Sequence, residues 1–278
     1  MPPKVTEILR GPIPPADVTK QTTEASETMT GKSSNHRKLK EHPVVIETGW
    51  CIACFRAALR DWNEAAWEQP LKVNCVWDAV TSRLCQRCYR ARAKCEMLYE
   101  GIRGHGFELH ALLEWASEFW INEESGFGAA EDVGLIHDLD SVRAAAIAVR
   151  QLCSAFDCLV KSHARAHALG GKKRGASDNS SYTQYCATAR NSMQRPAPLD
   201  PRPDGTSYPK SVQFAHRALE NLRLDINSNV GLPWYASVLS FRQTIQDLIK
   251  DKFDHSDPAT VAWYAYMLET FPIVTPDI

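Results

Sequence analysis

Six cysteines fall between positions 51 and 95, in the order Cys51-x2-Cys54, Cys75, Cys85-x2-Cys88-x6-Cys95. A C-x2-C pair lets two thiolates from one tight turn grip the same tetrahedral Zn²⁺ at about 2.3 Å, and this stretch holds two such pairs. Ligands so placed dictate the local backbone, and the rest of the chain must fold around them.

The surroundings favour ligands over disulfides. The start, Met1-Pro2-Pro3-Lys4, leads into polar sequence without the apolar run of a secretory signal, so the chain is expected in a reducing compartment. The nine cysteines are an odd count, with Cys153, Cys158 and Cys186 lying apart from the six. No apolar run approaches the roughly 18 residues of a membrane span, so no membrane association is expected. A formal net charge of −1 argues neither for nor against nucleic acid, so such a function has to rest on local charge.

That charge lies beside the second cysteine pair. Arg83, Arg87, Arg90, Arg92 and Lys94 occur with no acidic residue among them. Guanidinium groups suit phosphate contacts and can read guanine bidentately. Cys51, Cys54, Cys75, Cys85, Cys88 and Cys95 are all candidate zinc ligands, and Cys51, Cys54, Cys85 and Cys88 alone can hold one ion, leaving Cys75 and Cys95 as buried thiols. Thiolates bring negative charge of their own, which the basic residues must offset before they present a positive face.

The half-repeat Cys85-x2-Cys88-x6-Cys95, with basic residues between its second and third cysteines, resembles the fungal-type binuclear zinc cluster DNA-binding domain. Cys51, Cys54 and Cys75 stand in the order of that family's first half, with a long insert between Cys54 and Cys75. The resemblance implies that all six cysteines hold two zinc ions, two thiolates bridging the metals. It also implies a nuclear transcriptional regulator whose Arg83, Arg87, Arg90, Arg92 and Lys94 meet DNA. The alternative from another class is a structural zinc module acting as a protein-interaction scaffold without DNA binding, its insert serving as the surface.

Along the chain, residues 1–43 are proline- and Thr/Ser-rich without apolar periodicity, so a disordered tail is expected. It ends in His36-Arg37-Lys38-Leu39-Lys40, a nuclear-import signal, a phosphate-contacting arm or simply a solvated charge run. The zinc module is placed at 44–104, with a short strand at Val44-Val45-Ile46 and a helix over Phe55–Trp67. The region 105–169 follows. Its acidic first part, through Asp140, reads as an amphipathic helix with its Leu/Trp face packed and its acids in water, or as an activation segment. Its second part carries Val142, Ala145, Val149, Leu152, Phe156 and Leu159 at helical spacing. That seam suits a core helix or a short coiled coil through which the protein would self-associate or take a partner. Cys153 and Cys158 read as packing residues, and His163 and His167 as a solvated helix end.

Residues 170–210 read as a proline-punctuated linker, and 211–278 as three further helices, one starting at Asp257-Pro258. The fold class is therefore mainly α: a zinc-stabilised cysteine module and helical regions, with a disordered tail and a linker. No nucleophile elbow, Walker loop or metalloprotease motif occurs, and Gly101-x-x-Gly104-x-Gly106 fails the dinucleotide pattern, so no enzyme is expected.

Overall fold

The long apolar period of residues 139–166 sets the frame. The computed structural model describes residues 43–45, 49–62, 69–78, 84–120, 139–169, 179–224, 228–252 and 256–272. Within them lie helices α1 (Ile52–Asp61), α2 (Gln86–Arg90), α3 (Arg103–Ala116), α4 (Leu139–Ala166), α5 (Asn179–Ser192), α6 (Lys210–Glu220), α7 (Leu232–Lys252) and α8 (Pro258–Thr270). Strands β1 (Pro43–Val45) and β2 (Val76–Asp78) pair antiparallel, Pro43 opposite Asp78. The chain is mainly helical, as expected. The predicted tail lies outside the described residues except for Pro43, and so does Arg83.

Helix α4 forms where the spacing placed it, and Ala145, Val149, Leu152, Phe156 and Leu159 are all buried. Helix α7 runs against it, burying Trp234, Val238, Phe241, Ile245 and Ile249. The seam that could have served a coiled coil is thus covered from within the chain. Asp257 caps α8 as expected, accepting from the Thr260 amide at 3.1 Å.

Helices α3 and α6 pack most closely of all. The cause is Gly104: a Cβ there would lie 2.8 Å from the Asn221 carbonyl oxygen and 2.9 Å from that of Ala218. In the stretch that fails the dinucleotide pattern, Gly104 thus makes a backbone-to-backbone contact, while Gly101 and Gly106 face the side chains of His163 and Leu98.

Three expectations are corrected. The 170–210 segment is not linker throughout, because residues 179–192 form α5, while 193–209 are irregular and mostly exposed. The packing signal of α5 is carried by Tyr182, Tyr185 and Cys186 rather than by aliphatic residues. Tyr182 Oη sits 2.8 Å from His163 Nε2 and accepts from the Gly101 amide at 2.9 Å, and the Tyr185 and His167 rings lie 4.5 Å apart. That contact overturns the solvated helix end, for His163 is fully buried. Burial, first of all, holds the His163 pKa down at about 3, so its imidazole is neutral. Cys158, finally, is exposed rather than packed.

The acids of α3 do not all face water either. Glu108 is buried and joins three elements. Its Oε2 accepts from Trp234 Nε1 at 2.8 Å and lies 3.1 Å from His105 Nδ1, while His105 Nε2 accepts from the Leu224 amide at 2.9 Å. The Leu224 bond assigns Nε2 as acceptor and so makes Nδ1 the donor to Glu108. Arg223 Nη1 stands 3.9 Å from Glu108 Oε1.

Glu118 gives a pH-dependent test. Its Oε2 is buried with no hydrogen-bond partner among the described residues. Burial first, and then the neighbouring Glu114 carboxylate, push its pKa up to about 7. A raised carboxyl pKa stabilises the fold below the unfolded value of about 4.3, and that contribution is lost as pH rises to about 7. Glu118→Gln is therefore expected to raise stability by on the order of 2 kcal/mol at pH 8 and to change it little at pH 4. Urea denaturation at the two pH values measures this; equal effects at both would refute the assignment.

Candidate metal centre

The two C-x2-C turns are built alike. Cys51 is the N-cap of α1 and Cys85 the N-cap of α2, both extended (φ −70°, ψ 147° and φ −69°, ψ 159°). In each, the capping sulfur accepts from the amide of the second cysteine: Cys54 N to Cys51 Sγ at 3.3 Å, Cys88 N to Cys85 Sγ at 3.4 Å. A sulfur takes the place a Ser or Asp oxygen fills at an ordinary N-cap.

The insert leaves Cys54 as helix, and Cys75 at its far end lies with Cys51, Cys54 and Cys85. Helix α1 occupies its first part, and Trp62 Nε1 donates to the Gln69 carbonyl at 3.0 Å, drawing the two described ends together. Arg150 of α4 donates to the Trp62 carbonyl at 2.7 Å, and Leu71 is buried. Strand β2 follows directly on Cys75, so its pairing with β1 helps hold that residue in place. Trp77 Nε1 donates to Cys75 Sγ at 3.0 Å.

All six predicted ligands come together, in two overlapping sets. Cys51, Cys54, Cys75 and Cys85 have sulfurs within 4.8 Å of one another, and so do Cys51, Cys85, Cys88 and Cys95. The members common to both are Cys51 and Cys85, the two N-cap residues. Sulfur separations are 3.7 Å for Cys51–Cys85, 3.6 Å for Cys51–Cys88 and 3.4 Å for Cys54–Cys85. A disulfide needs about 2.05 Å, and all six cysteines are free thiols.

This packing is costly for thiolates without a cation. Burial pushes the Cys95 thiol up, the Cys54 thiol up, and that of Cys88 up to about 12. Cys75, hydrogen-bonded first by Cys51 and also by Trp77, is held down at about 5, and Cys51 moves the opposite way. The group thus has room for little negative charge by itself. A bound divalent cation reverses that balance and deprotonates its ligands. The cysteines are positioned to bind metal.

The chain matches no protein-family model, no curated protein and no solved structure. What the site does must therefore be read from its own chemistry.

The predicted cations divide. Arg87 pairs with Asp61 at 3.2 Å and Lys94 with Glu96. Arg90 and Arg92 are exposed and make no ion pair among the described residues. Arg92 has a further distinction, a left-handed backbone at φ 50°. It is the C′ residue of α2: its amide bonds the Tyr89 carbonyl at 3.3 Å, and the Ala93 amide bonds that of Cys88 at 2.9 Å. This is a Schellman motif, in which glycine is the usual C′ residue because an L side chain costs about 1 kcal/mol there.

Cations from the helical region were missed by sequence reasoning. Arg56 of α1 and Lys161 of α4 share Asp157, at 2.6 and 2.7 Å, and Arg165 lies one turn beyond Lys161. Their only sequence signal was the i, i+4 spacing of Asp157, Lys161 and Arg165. Nothing in the order of residues brings them to α1.

Proposed function

We propose that the chain is a zinc-dependent nuclear DNA-binding regulator of transcription, with six cysteines holding two zinc ions and Cys51 and Cys85 bridging them. The observation that carries the reading is the overlap of the two four-sulfur sets. Four thiolates at about 2.3 Å from a tetrahedral zinc are about 3.8 Å apart, near the sulfur separations of 3.4–3.7 Å. A lone four-cysteine site of Cys51, Cys54, Cys85 and Cys88 would leave Cys75 and Cys95 without a reason to join these sets.

DNA contact is assigned to Arg83, Arg87, Arg90, Arg92 and Lys94, with Arg90 and Arg92 carrying most of it because neither pairs with a carboxylate among the described residues. A non-glycine residue kept at a glycine-favouring position supports a role for the Arg92 side chain. A second reading, a structural zinc module that scaffolds a protein partner, draws support from the two cations already paired, Arg87 and Lys94.

One variant separates the readings. Arg90→Ala with Arg92→Gly should leave zinc content unchanged and stability equal or up to about 1 kcal/mol higher, since glycine suits the C′ position. Duplex DNA affinity should fall, and the slope of log K against log salt should lessen by about 2. If the zinc-loaded wild type ignores mixed duplex DNA even at low salt, the scaffold reading stands instead.

A further inference from the structure

Beside the cysteine cluster lies a cleft of about 480 Å³ lined by Ile52, Arg56, Glu96, Tyr99, Lys161 and Arg165, among others. One wall is the first turns of α1, immediately after Cys51. The opposite wall is the C-terminal half of α4. The segment following Cys95 closes one side, held to α1 by the Ile52 amide, which donates to the Glu96 carbonyl at 2.8 Å. The floor is apolar, from Ile52 and Val160, with the half-buried Tyr99 ring beside it, and the rim is cationic.

The charges do not cancel. Arg56 and Lys161 share the single carboxylate of Asp157. Arg165 bonds only the Lys161 carbonyl and the Ser162 hydroxyl, and pairs with no acid among the described residues. Glu96 is matched by Lys94. Four cations against two carboxylates leave a surplus of two around a concave surface. Lys161 and Arg165 are exposed and one helical turn apart, so both head groups can converge on one ligand. The cleft also adjoins the loop of Arg92 and Lys94 through Glu96, which lines it.

From this geometry we infer that the cleft is a phosphate-binding site occupied by the backbone of a nucleic-acid strand, so that the helical body extends the contact surface beyond the cysteine cluster. The inference rests on the DNA-binding reading for the source of the phosphate, but the cleft itself can be tested separately. Lys161 and Arg165 supply the charge, Arg56 a third donor, and Asp157 holds Arg56 and Lys161 in position.

The test uses the full zinc-loaded chain and the double variant Lys161→Ala, Arg165→Ala, with Lys161→Arg, Arg165→Lys as the charge-preserving control. Two ligands are titrated, a mixed-sequence DNA duplex and inorganic tripolyphosphate. The alanine variant should bind duplex on the order of tenfold more weakly at low salt with a salt slope reduced by about 2, while the control binds as wild type. Unchanged duplex affinity and slope in the alanine variant would overturn the inference. If wild type binds no duplex, the regulator reading fails on its own, and tripolyphosphate decides the cleft. Binding lost only in the alanine variant keeps it as a phosphate site for free phosphate compounds; no binding ends it.

Discussion

Replacing Cys85 or Cys51 with serine is expected to remove both metal equivalents, whereas replacing Cys75 or Cys95 should remove only one. The difference follows from set membership: Cys51 and Cys85 belong to both four-sulfur groups, the others to one each. A structural zinc site contributes on the order of 10 kcal/mol or more, as much as the whole stability of an ordinary domain. Loss of a shared ligand should therefore abolish cooperative unfolding of the cysteine region, and loss of an unshared one should lower the midpoint while leaving a transition. Metal counting on the purified variants, together with thermal denaturation, measures both effects. A full metal complement in Cys85→Ser would overturn the shared-ligand assignment. One metal in the wild type, retained when Cys75 or Cys95 is replaced, would return the site to four cysteines.

Glu108→Ala should be the most damaging substitution away from the cysteines, costing about 3–5 kcal/mol. The side chain is buried, and its removal strands the His105 Nδ1–H and the Trp234 indole N–H and takes the nearby carboxylate from Arg223. Glu108→Gln should cost less, because one amide oxygen can still accept from one of these donors. Urea denaturation of both variants reads the difference. A loss below about 1 kcal/mol in the alanine variant would mean that water or another group satisfies these donors after all.

How far the sequence foretells such features depends on how local their cause is. The two C-x2-C turns and the helical seam of α4 were legible because each is set by residues within a few positions of one another. That two thiolates would be shared was implied only by a family resemblance, and nothing in the sequence singles out Cys51 and Cys85, since their place in both sets requires Cys75 to return across twenty intervening residues. Glu108 reads in the sequence only as an acid on a helix, because its partners Arg223 and Trp234 lie more than a hundred positions away. Helix α5 escaped notice because Ser, Thr, Asn and Gln dominate it and its contacts are made by tyrosines. The burial of His163 was then missed with it. Arg92 shows the opposite difficulty: the Schellman turn is local, but the glycine that would have announced it is absent.

The aromatic rings behind the cluster have one more consequence. Trp50 stacks on Phe55 at 5.4 Å, Phe55 meets Phe156 edge-on at 5.5 Å, and Phe156 meets Trp234 at 5.4 Å. Trp50 precedes the first ligand and Phe55 follows the second, so ligand geometry and the seating of α4 and α7 depend on the same packed column. Ligation and folding of the helical body should then share one equilibrium, with metal availability setting how much folded protein exists. A cell starved of the metal would hold no reserve of dormant, folded protein, because the apo chain would be a substrate for proteolysis. Pulse-chase turnover with and without a zinc chelator would show this as a shortened half-life, and an unchanged half-life would uncouple the column from the metal.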